Sequence, residues 1–317
     1  MDGAGQGGSR RGRAGADAGE PGAPDRPGRL GVGVVGAGRV GAVLGNALRA
    51  AGHAVVGVSA VSTASRERAE LMLPGVPVLE ITEIVERAEL VLLTVPDDAL
   101  EPLVRGLAEV GAWQPGQLVV HTSGRFGWRV LEPATASGAI PLALHPAMTF
   151  TGMSLDLARL ADCCFAVTAP APVLPIGQAL VVEMGAEPVV VAEESRPLYH
   201  AALAHGANHM VTLVAEALDL LAAAGVESGS RVLAPLLSAA LDNVLRQGDA
   251  ALTGPVARGD AGTVSAHIAA IAASGVEGAL ATYRRLARDT AARALASGRL
   301  RPEAAQSLLQ ALADDGG

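Results

Sequence analysis

The sequence contains no lysine, because all 24 of its basic residues are arginine. Any mechanism that needs a lysine, whether as a Schiff base, a proton donor or the cation of a P-loop, is therefore excluded. Aromatic residues make up only 2% of the chain, although half of its residues are hydrophobic. The core must accordingly be built from Ala, Val and Leu, and the alanine-rich second half is expected to be helical.

Cysteine, basic clusters and long apolar runs are also scarce. The two cysteines, Cys163 and Cys164, are neighbours, which excludes an ordinary disulfide framework, suits a reducing compartment such as the cytoplasm and makes a metal site unexpected. No run of about 18 or more apolar residues occurs, so we expect no membrane-spanning helix. The net charge of -8, without a basic patch, argues against nucleic acid or an anionic membrane as a partner.

The chain changes character twice along its length. Its first 29 residues are rich in Gly, Arg, Ala, Asp and Pro and lack an apolar h-region, so they indicate a disordered tail and not a secretory signal. A region of alternating strand and helix patterns follows, and from residue 195 onward the pattern is helical. We predict a tail over residues 1–29, an α/β domain over residues 30–194 and an all-α domain over residues 195–317.

A strand, a glycine turn and a helix are predicted at residues 30–46, LGVGVVGAGRVGAVLGN. In a dinucleotide-binding turn Gly36 permits the bend, Gly38 lets the backbone approach a pyrophosphate, and Gly41 lets the helix pack against the strand. The first helical N–H groups would point at the phosphates. A purely structural turn is the alternative, because glycine is frequent here. The predicted cofactor contacts in the turn are Gly36, Gly38, Arg39, Val40 and Gly41.

The end of the second predicted strand, residues 54–59, favours NADP over NAD. An acidic residue at this place would bind the adenosine ribose 2'-OH and repel a 2'-phosphate. The chain instead has Ser59, followed by several hydroxyl residues, Arg66 and Arg68. Hydroxyl and guanidinium groups suit a 2'-phosphate, so we predict Ser59 and Arg66 as contacts. The alternative is that both arginines are solvated charges near a helix start.

Three further strand ends carry small or polar residues, namely TVP at 94–96, HTSG at 121–124 and HP at 145–146. Because parallel strands end at one edge of a sheet, these ends are expected to line one crevice. Asp97 and Asp98 are expected to cap a helix that begins near Ala99. His145 is either a catalytic group or a core histidine bonded to backbone. The predicted cofactor contacts from these ends are Val95, Pro96, Thr122 and Ser123.

The helical half offers two more candidate clusters. A long helix predicted over residues 198–224 places His205, Asn208, His209 and Thr212 on one narrow polar stripe, which lines a site or faces solvent. A loop at residues 252–260, LTGPVARGD, is either a connector or part of a substrate site. Its polar groups, and our predicted substrate contacts, are Thr253, Arg258 and Asp260.

These motifs together resemble one bacterial family. The motifs GAGRVG, LLTVPDDAL, HTSG, LHPAMTF and LTGPVARGD, with the helix of Asn208, are similar to Rossmann-like proteins whose C-terminal half is a domain of unknown function (DUF2520), over residues 30–313. More distantly, the chain resembles the group of pyrroline-5-carboxylate reductase, hydroxyisobutyrate dehydrogenase, deazaflavin-dependent NADP reductase and ketopantoate reductase. The resemblance implies a Rossmann domain and an all-α domain that supplies a homodimer interface, with a small-molecule substrate between the domains.

The chain departs from that wider group at one position. Hydroxyisobutyrate dehydrogenases and ordinary ketopantoate reductases have a catalytic lysine four residues before an asparagine on the first long helix. Asn208 matches the asparagine, whereas the lysine position is Ala204. A histidine is the natural substitute as proton donor near neutral pH, so His145, His205 and His209 are the candidates.

We therefore expect an NADP(H)-dependent reductase of a small oxo-acid or related carbonyl compound, with ketopantoate as the leading substrate. Asn208 would meet the developing oxyanion and Arg258 would hold a substrate carboxylate. The missing lysine leaves a non-catalytic NADP(H) sensor open as an alternative. A deazaflavin-linked NADP reductase is a further alternative.

Overall fold

The computed structural model describes residues 29–313, which fall into two compact units. The first unit ends at His200 and the second begins at Ala201. The predicted boundary between residues 194 and 195 lies in a short 3₁₀ turn just before the helix in which the units divide. The tail predicted at residues 1–29 lies outside the described residues, apart from Arg29. No helix within residues 29–313 is long and apolar enough to cross a membrane.

The first unit is built on one seven-stranded sheet. The first five strands run parallel, whereas the sixth is antiparallel to the fifth and parallel to the seventh. The predicted parallel sheet is thus confirmed, with the last two strands reversed. The strands are β1 Gly31–Val35, β2 Ala54–Ser59, β3 Leu90–Leu93, β4 Leu118–His121, β5 Ile140–Pro146, β6 Cys164–Thr168 and β7 Glu187–Val190, in the spatial order β2-β1-β3-β4-β5-β6-β7.

The sequence pattern also predicts a short strand near residues 76–79, and this prediction is wrong for a full strand. Only an isolated parallel bridge joins Val78 to Val58 on the outer side of β2. Its two hydrogen bonds run from Val58 N to Pro77 O and from Leu79 N to Val58 O. Pro77 has no N–H to offer, so the segment cannot extend this pairing into a regular ladder.

Helices cover both faces of the sheet. Side chains of β3 show why, because Leu90 and Leu92 enter a core with the helices at residues 39–50, 63–72 and 174–183, whereas Val91 and Leu93 enter a second core with the helices at residues 81–87 and 97–109. Strands buried on both faces need such continuous apolar runs. The helices of this region are α1 Arg39–Ala50, α2 Thr63–Met72, α3 Ile81–Arg87, α4 Asp97–Glu109, α5 Glu132–Thr135, α6 Leu155–Arg159, α7 Leu174–Glu183 and α8 Arg196–Leu203.

The strand order creates a crevice at the carboxyl end of β1. The chain leaves β1 towards β2 on one side and later returns to β3 on the other side. At such a topological switch point the two connections diverge, and open α/β sheets bind their ligands there. The glycine turn follows β1 directly, so the fold places GAGRVG at this crevice.

The second unit is all helical, as predicted. Its core is supplied by the four helices between residues 254 and 311 and the turns next to them. The helix at residues 209–223 buries no residue, and the helix at residues 229–247 buries only Gly229. A π-helical segment, Ala204–Asn208, interrupts the continuous helix predicted over residues 198–224. The helices are α9 His209–Ala223, α10 Gly229–Gln247, α11 Gly254–Arg258, α12 Ala261–Ser274, α13 Ala279–Ala296 and α14 Pro302–Ala311.

Candidate functional site

Each glycine of the turn after β1 has a distinct structural reason. Gly36 has a φ of +101°, a backbone conformation that side chains other than glycine rarely adopt. A Cβ on Gly41 would lie 2.1 Å from Gly36 O, so only glycine allows α1 to pack this closely. A Cβ on Gly38 would meet nothing within 4 Å and would point into open space at the start of α1. These three environments match the turn, packing and phosphate-approach roles of a dinucleotide-binding turn.

Residues from both neighbouring strand ends hold this turn in place. Ser59, at the end of β2, accepts the N–H of Gly36 at its Oγ (2.9 Å) and the N–H of Ala37 at its carbonyl (2.8 Å). Thr94, which follows β3, donates its hydroxyl to Gly36 O at 2.6 Å. Ser59 is buried, and its hydroxyl is engaged with the turn. The structure thus gives Ser59 a supporting role that the sequence pattern did not indicate.

Three arginines lie close to the turn. Arg39 is exposed at the start of α1. Arg68 on α2 donates from Nη1 to Ala37 O at 3.2 Å, and the Nε of Arg66 donates to Ala60 O at 3.3 Å. Arg66 and Ser59 both line a cavity of about 890 Å³ at the end of β2. These cations suit a ligand with several phosphate groups.

The end of β3 leads directly into α4. Val95 is half-buried and Pro96 is exposed. The prediction that Asp97 and Asp98 cap this helix is wrong, because α4 begins at Asp97 and Pro96 occupies the N-cap position without a side-chain capping bond. Both carboxylates lie in the first helical turn, where they interact favourably with the helix dipole.

The loop after β4 is organised by His121. Its Nε2 lies 2.8 Å from Gly127 O, and its Nδ1 accepts the N–H of Ser123 at 3.2 Å. Burial lowers the pKa of His121 to about 3, so the ring is neutral and donates from Nε2. Ser123 is buried and accepts the N–H of Phe126, whereas the predicted cofactor contact Thr122 is half-buried. The loop is thus fixed internally before any ligand arrives.

His145, near the end of β5, pairs with a tyrosine. Its Nδ1 lies 3.0 Å from the hydroxyl of Tyr199, and the two rings meet edge to face. The ring of His200 also lies edge-on, at 5.9 Å between centroids. A Cβ on Gly124 would lie 2.9 Å from the Nε2 of His145, so the loop after β4 packs closely against the imidazole. The partner of this histidine is therefore a side chain, and not the backbone bond of an ordinary core histidine.

The pKa of His145 is lowered to about 4, because the ring is partly buried and lies close to the positive charge of Arg196 and to His200. At neutral pH the imidazole is therefore uncharged. His145 can therefore donate a proton only from its neutral ring, and not as an imidazolium.

A fully buried arginine is bonded to β5, to β6 and to the loop after β4. The guanidinium of Arg196 donates to Ala143 O on β5 (2.8 Å) and to Ala166 O on β6 (3.1 Å). Its Nε donates to the hydroxyl of Thr168 at 2.8 Å, and Nη1 reaches Ser123 O at 3.3 Å. Burial lowers the pKa of Arg196 to about 10, so it remains a cation at neutral pH. No carboxylate among residues 29–313 forms an ion pair with it.

Sequence reasoning missed Arg196, Tyr199 and His200. A signal was present, because positions i, i+3 and i+4 of a helix lie on one face, and α8 begins at Arg196. By itself, Ser195-Arg196-Pro197 indicates only a helix start, and His200 lies off the polar stripe of His205. The tertiary contact with β5, and not the helical spacing alone, identifies these three residues as one cluster.

Of the stripe predicted in the helical half, three members line one cavity. His205 and His209 contact each other, with 3.0 Å between their Nδ1 atoms. With Thr212 they line a cavity of about 680 Å³ in the second unit, and Asn208 is absent from its lining. The π-helical segment ending at Asn208 explains the separation, because its wider turns change the angular spacing on which the predicted stripe depends.

The loop predicted to contact substrate contains the short helix α11. Thr253 is its N-cap residue and Arg258 lies exposed in its last turn. Asp260 caps α12 by accepting the N–H of Thr263 at 3.0 Å and its hydroxyl at 2.7 Å, and these bonds lower the pKa of the carboxyl group. Asp260 therefore has a structural role, which leaves Arg258 as the exposed cation of the loop.

Comparisons with known proteins agree with this architecture. A family model for a Rossmann-like domain matches residues 17–146, and one for a domain of unknown function (DUF2520) matches residues 163–290. A search of curated proteins finds no significant match.

Solved structures share the fold at low identity. A Bacteroides fragilis protein described provisionally as an NADP oxidoreductase is 22% identical, with a TM-score of 0.68 over 83% of this chain and 98% of that chain. A reductive aminase from Aspergillus terreus, in complex with NADPH4, cyclohexanone and allyl amine, is 18% identical, with a TM-score of 0.61 over 89% of this chain and 99% of that chain. An imine reductase from Myxococcus stipitatus, in complex with NADP+, is 18% identical, with a TM-score of 0.60 over 85% and 95% of the two chains.

The two family matches map onto successive parts of the structure. The Rossmann-like match covers the sheet through β5 with its glycine turn, and the second match begins at the reversed strands and continues into the helical unit. The chain therefore joins a region that matches the Rossmann-like domain model to a region that matches the DUF2520 model.

Proposed function

We propose that this protein is an NADPH-dependent reductase of a C=O or C=N bond in a small molecule. The observation that carries the proposal is the glycine turn at the switch point of the sheet. Its open face at Gly38 and the close packing at Gly41 are what a bound pyrophosphate requires. The similar structures named above include NADP+ and NADPH4 complexes of reductases, which supports the same cofactor class here.

Different residues around the turn would contact different parts of the cofactor. Backbone N–H groups at the start of α1, with Arg39 and Arg68, would hold the pyrophosphate. Arg66, which lines the cavity at the end of β2, would contact a 2'-phosphate. The absence of an acidic residue directly after β2 supports NADP over NAD. Val95, Pro96 and Thr122 would line the same edge of the sheet.

The bound nicotinamide would supply a hydride to the substrate, and the chain would supply the proton and the substrate contacts. His145 lies at the carboxyl end of β5, on the edge of the sheet where the glycine turn also lies. In the second unit, His205, Asn208 and His209 remain candidates for polar contacts to substrate. Arg258 is exposed and would hold a carboxylate, so oxo-acids, ketopantoate among them, belong to the proposed substrate class.

We also propose a homodimer formed through α9 and α10. Neither helix contributes to the core of its own unit. Apolar side chains of α10 spread over more than half of its circumference at about 100° per residue, and a helix of that kind is normally buried. A second copy is the natural cover, because the same surface is present on each chain. The exposed apolar residues of α10 are Val232, Leu236, Leu237, Leu241, Val244 and Leu245.

Fluorescence titration with NADPH and NADH, followed by NADPH oxidation with a panel of oxo-acids, ketones and cyclic imines, tests the enzymatic proposal. Tight binding with turnover on one class supports it. Binding without turnover on any class would favour an NADP(H) sensor, and turnover that requires an added deazaflavin would favour that alternative. The variant Gly38→Ala is the matched control, because its methyl group fills the space proposed for the phosphates.

A further inference from the structure

We propose that Tyr199 and His145 form a proton relay, in which the phenol of Tyr199 reprotonates the imidazole as the imidazole protonates the substrate. This inference rests on the proposed reductase function and assigns the proton source that the absence of lysine leaves open. Tyr199 acts through His145, and His145 is the group that would touch the substrate.

The geometry of the pair suits such a transfer. The hydroxyl of Tyr199 lies 3.0 Å from the Nδ1 of His145, which is hydrogen-bond distance. With Nδ1 accepting from the phenol, the neutral ring carries its proton on Nε2. This second nitrogen faces the loop after β4 near Gly124, at the carboxyl edge of the sheet. The ring therefore connects Tyr199 on one side with the loop after β4 on the other.

His145 needs a partner for this task. Because its pKa is lowered to about 4, the ring has no second proton to give near neutral pH. A neutral imidazole that loses its Nε2 proton would become an imidazolate, which is costly unless a proton enters at Nδ1. The O–H of Tyr199 is the donor placed at that nitrogen.

Arg196 provides the charge that the relay requires. Its guanidinium carbon lies 5.9 Å from the centroid of the Tyr199 ring. Burial raises the pKa of Tyr199, and the positive charge of Arg196 acts in the opposite direction. The guanidinium is bonded to carbonyl and hydroxyl oxygens, and Glu193 is the carboxylate whose charge acts on it. Its positive charge lies close enough to the phenol to stabilise a transient phenolate.

The transfer balances in atoms and charge. As hydride reaches the carbonyl or imine carbon, the Nε2–H bond of His145 breaks and a new O–H or N–H bond forms on the substrate. The Nδ1–H bond forms while the O–H bond of Tyr199 breaks, which leaves a neutral imidazole and a phenolate. Solvent then protonates Nε2, and the Nδ1 proton returns to the phenolate, which restores the starting tautomer of the imidazole and the neutral phenol. The other ionisable groups around the pair are His121, His200, Cys163 and Cys164, together with the cation Arg196 and the carboxylate Glu193 beside it.

The first test compares two tyrosine variants. The chain has only two tyrosines, and Tyr283 forms the same kind of bond, 2.9 Å from its hydroxyl to the Nδ1 of His267, in the second unit. We expect Tyr199→Phe to lower kcat about 100-fold or more, as for loss of general acid–base catalysis, with the Kd for NADPH unchanged. Tyr283→Phe, the matched control, should retain kcat. A kcat for Tyr199→Phe within about threefold of the wild type overturns the relay.

The second test does not depend on turnover. ¹⁵N NMR of histidine-labelled protein, assigned with His145→Gln, reports which ring nitrogen of His145 carries the proton. We expect Nε2–H with an acceptor Nδ1 in the wild type, and a shifted Nδ1 resonance in Tyr199→Phe but not in Tyr283→Phe. A wild-type ring protonated on Nδ1, or an unchanged spectrum in Tyr199→Phe, overturns the relay. If the wild type neither binds NADPH nor turns over a substrate, the proposed function is contradicted. The spectra would still show whether Tyr199 donates a hydrogen bond to the Nδ1 of His145.

Discussion

Gly41 faces the carbonyl oxygen of Gly36 so closely that a Cβ at position 41 would lie 2.1 Å from that oxygen and 2.3 Å from the Thr94 hydroxyl. The first helix therefore packs on the turn through backbone alone. Gly38, two residues after the bend, has an allowed φ of −69° and open space where its Cβ would be. One turn thus contains a glycine required by packing and another whose space is open to a ligand.

Substitution of these two glycines should separate stability from binding. We expect Gly41→Ala to lower the free energy of unfolding by about 1–3 kcal/mol, because backbone and Thr94 must move apart. Gly38→Ala should cost about 1 kcal/mol at most, since alanine is only a poorer N-cap residue than glycine. Its Kd for NADPH should rise at least about tenfold, which corresponds to about 1.4 kcal/mol. Chemical denaturation and fluorescence titration measure the two effects, and equal binding by Gly38→Ala and the wild type would contradict the proposed phosphate position.

Arg66 should discriminate between the two nicotinamide cofactors. A charge-assisted bond to a phosphate is worth about 1.5–3 kcal/mol, so Arg66→Gln should weaken NADPH binding about tenfold or more and leave NADH binding unchanged. Arg87→Gln is a suitable control, because Arg87 is an exposed arginine paired with Glu83 on α3. Calorimetric titration with both cofactors gives the comparison. Equal weakening of both would place Arg66 on a part of the cofactor that NADPH and NADH share.

The two neutral histidines at the ends of β4 and β5 should make the protein less stable in acid. Relative to an ordinary histidine pKa of 6.5, burial lowers the pKa of His121 to about 3, and burial with the charge of Arg196 lowers that of His145 to about 4. Below pH 6.5 the unfolded chain therefore binds protons that the folded chain does not. Above pH 6.5 neither state binds these protons, so the two rings do not lower the free energy of unfolding. Below that pH the free energy of unfolding falls as the pH falls, with a slope of at most about 1.4 kcal/mol per pH unit for each histidine.

Urea denaturation at a series of pH values between about 4 and 7 measures how the free energy of unfolding depends on pH. The slope should vanish above pH 6.5, the ordinary pKa of a histidine. We expect a shallower slope for His145→Gln, because one of the two titrating groups is gone. An identical slope in that variant would show that His145 takes up its proton equally in the folded and unfolded chains.

The apolar surface of α10 should control association of the chain. Leu236 on α10 is 64% exposed and Leu71 on α2 is 62% exposed. We expect Leu236→Glu to raise the dimer dissociation constant at least about tenfold, because a carboxylate would be buried in an apolar interface. Leu71→Glu, matched in exposure, should leave association unchanged. Sedimentation equilibrium distinguishes the two, and a monomeric wild-type chain would refute the proposed homodimer.

Local pattern was sufficient to predict the α/β and all-α regions and the glycine turn. The apolar run, the three glycines and the following helical spacing require only neighbours in sequence, so Gly36, Gly38 and Gly41 were found without tertiary information. The order of strand ends along the chain likewise placed Ser59, Thr94 and His145 at one edge of the sheet. Such local signals failed at residues 76–79, where pairing depends on a partner strand and Pro77 removes a donor.

By itself the sequence determined the class of fold and one excluded chemistry: a glycine turn after a buried strand indicates a dinucleotide-type α/β domain, and the absence of lysine excludes proton transfer from a lysine amine. Only the tertiary structure decided which side chains meet at the sheet edge. Tyr199 lies 54 residues after His145 in the chain, and Arg196 lies on the same helix as Tyr199. Both reach His145 only because β6 and β7 reverse direction and return α8 to the carboxyl ends of β4 and β5. Contacts over such separations depend on packing, which no local pattern encodes.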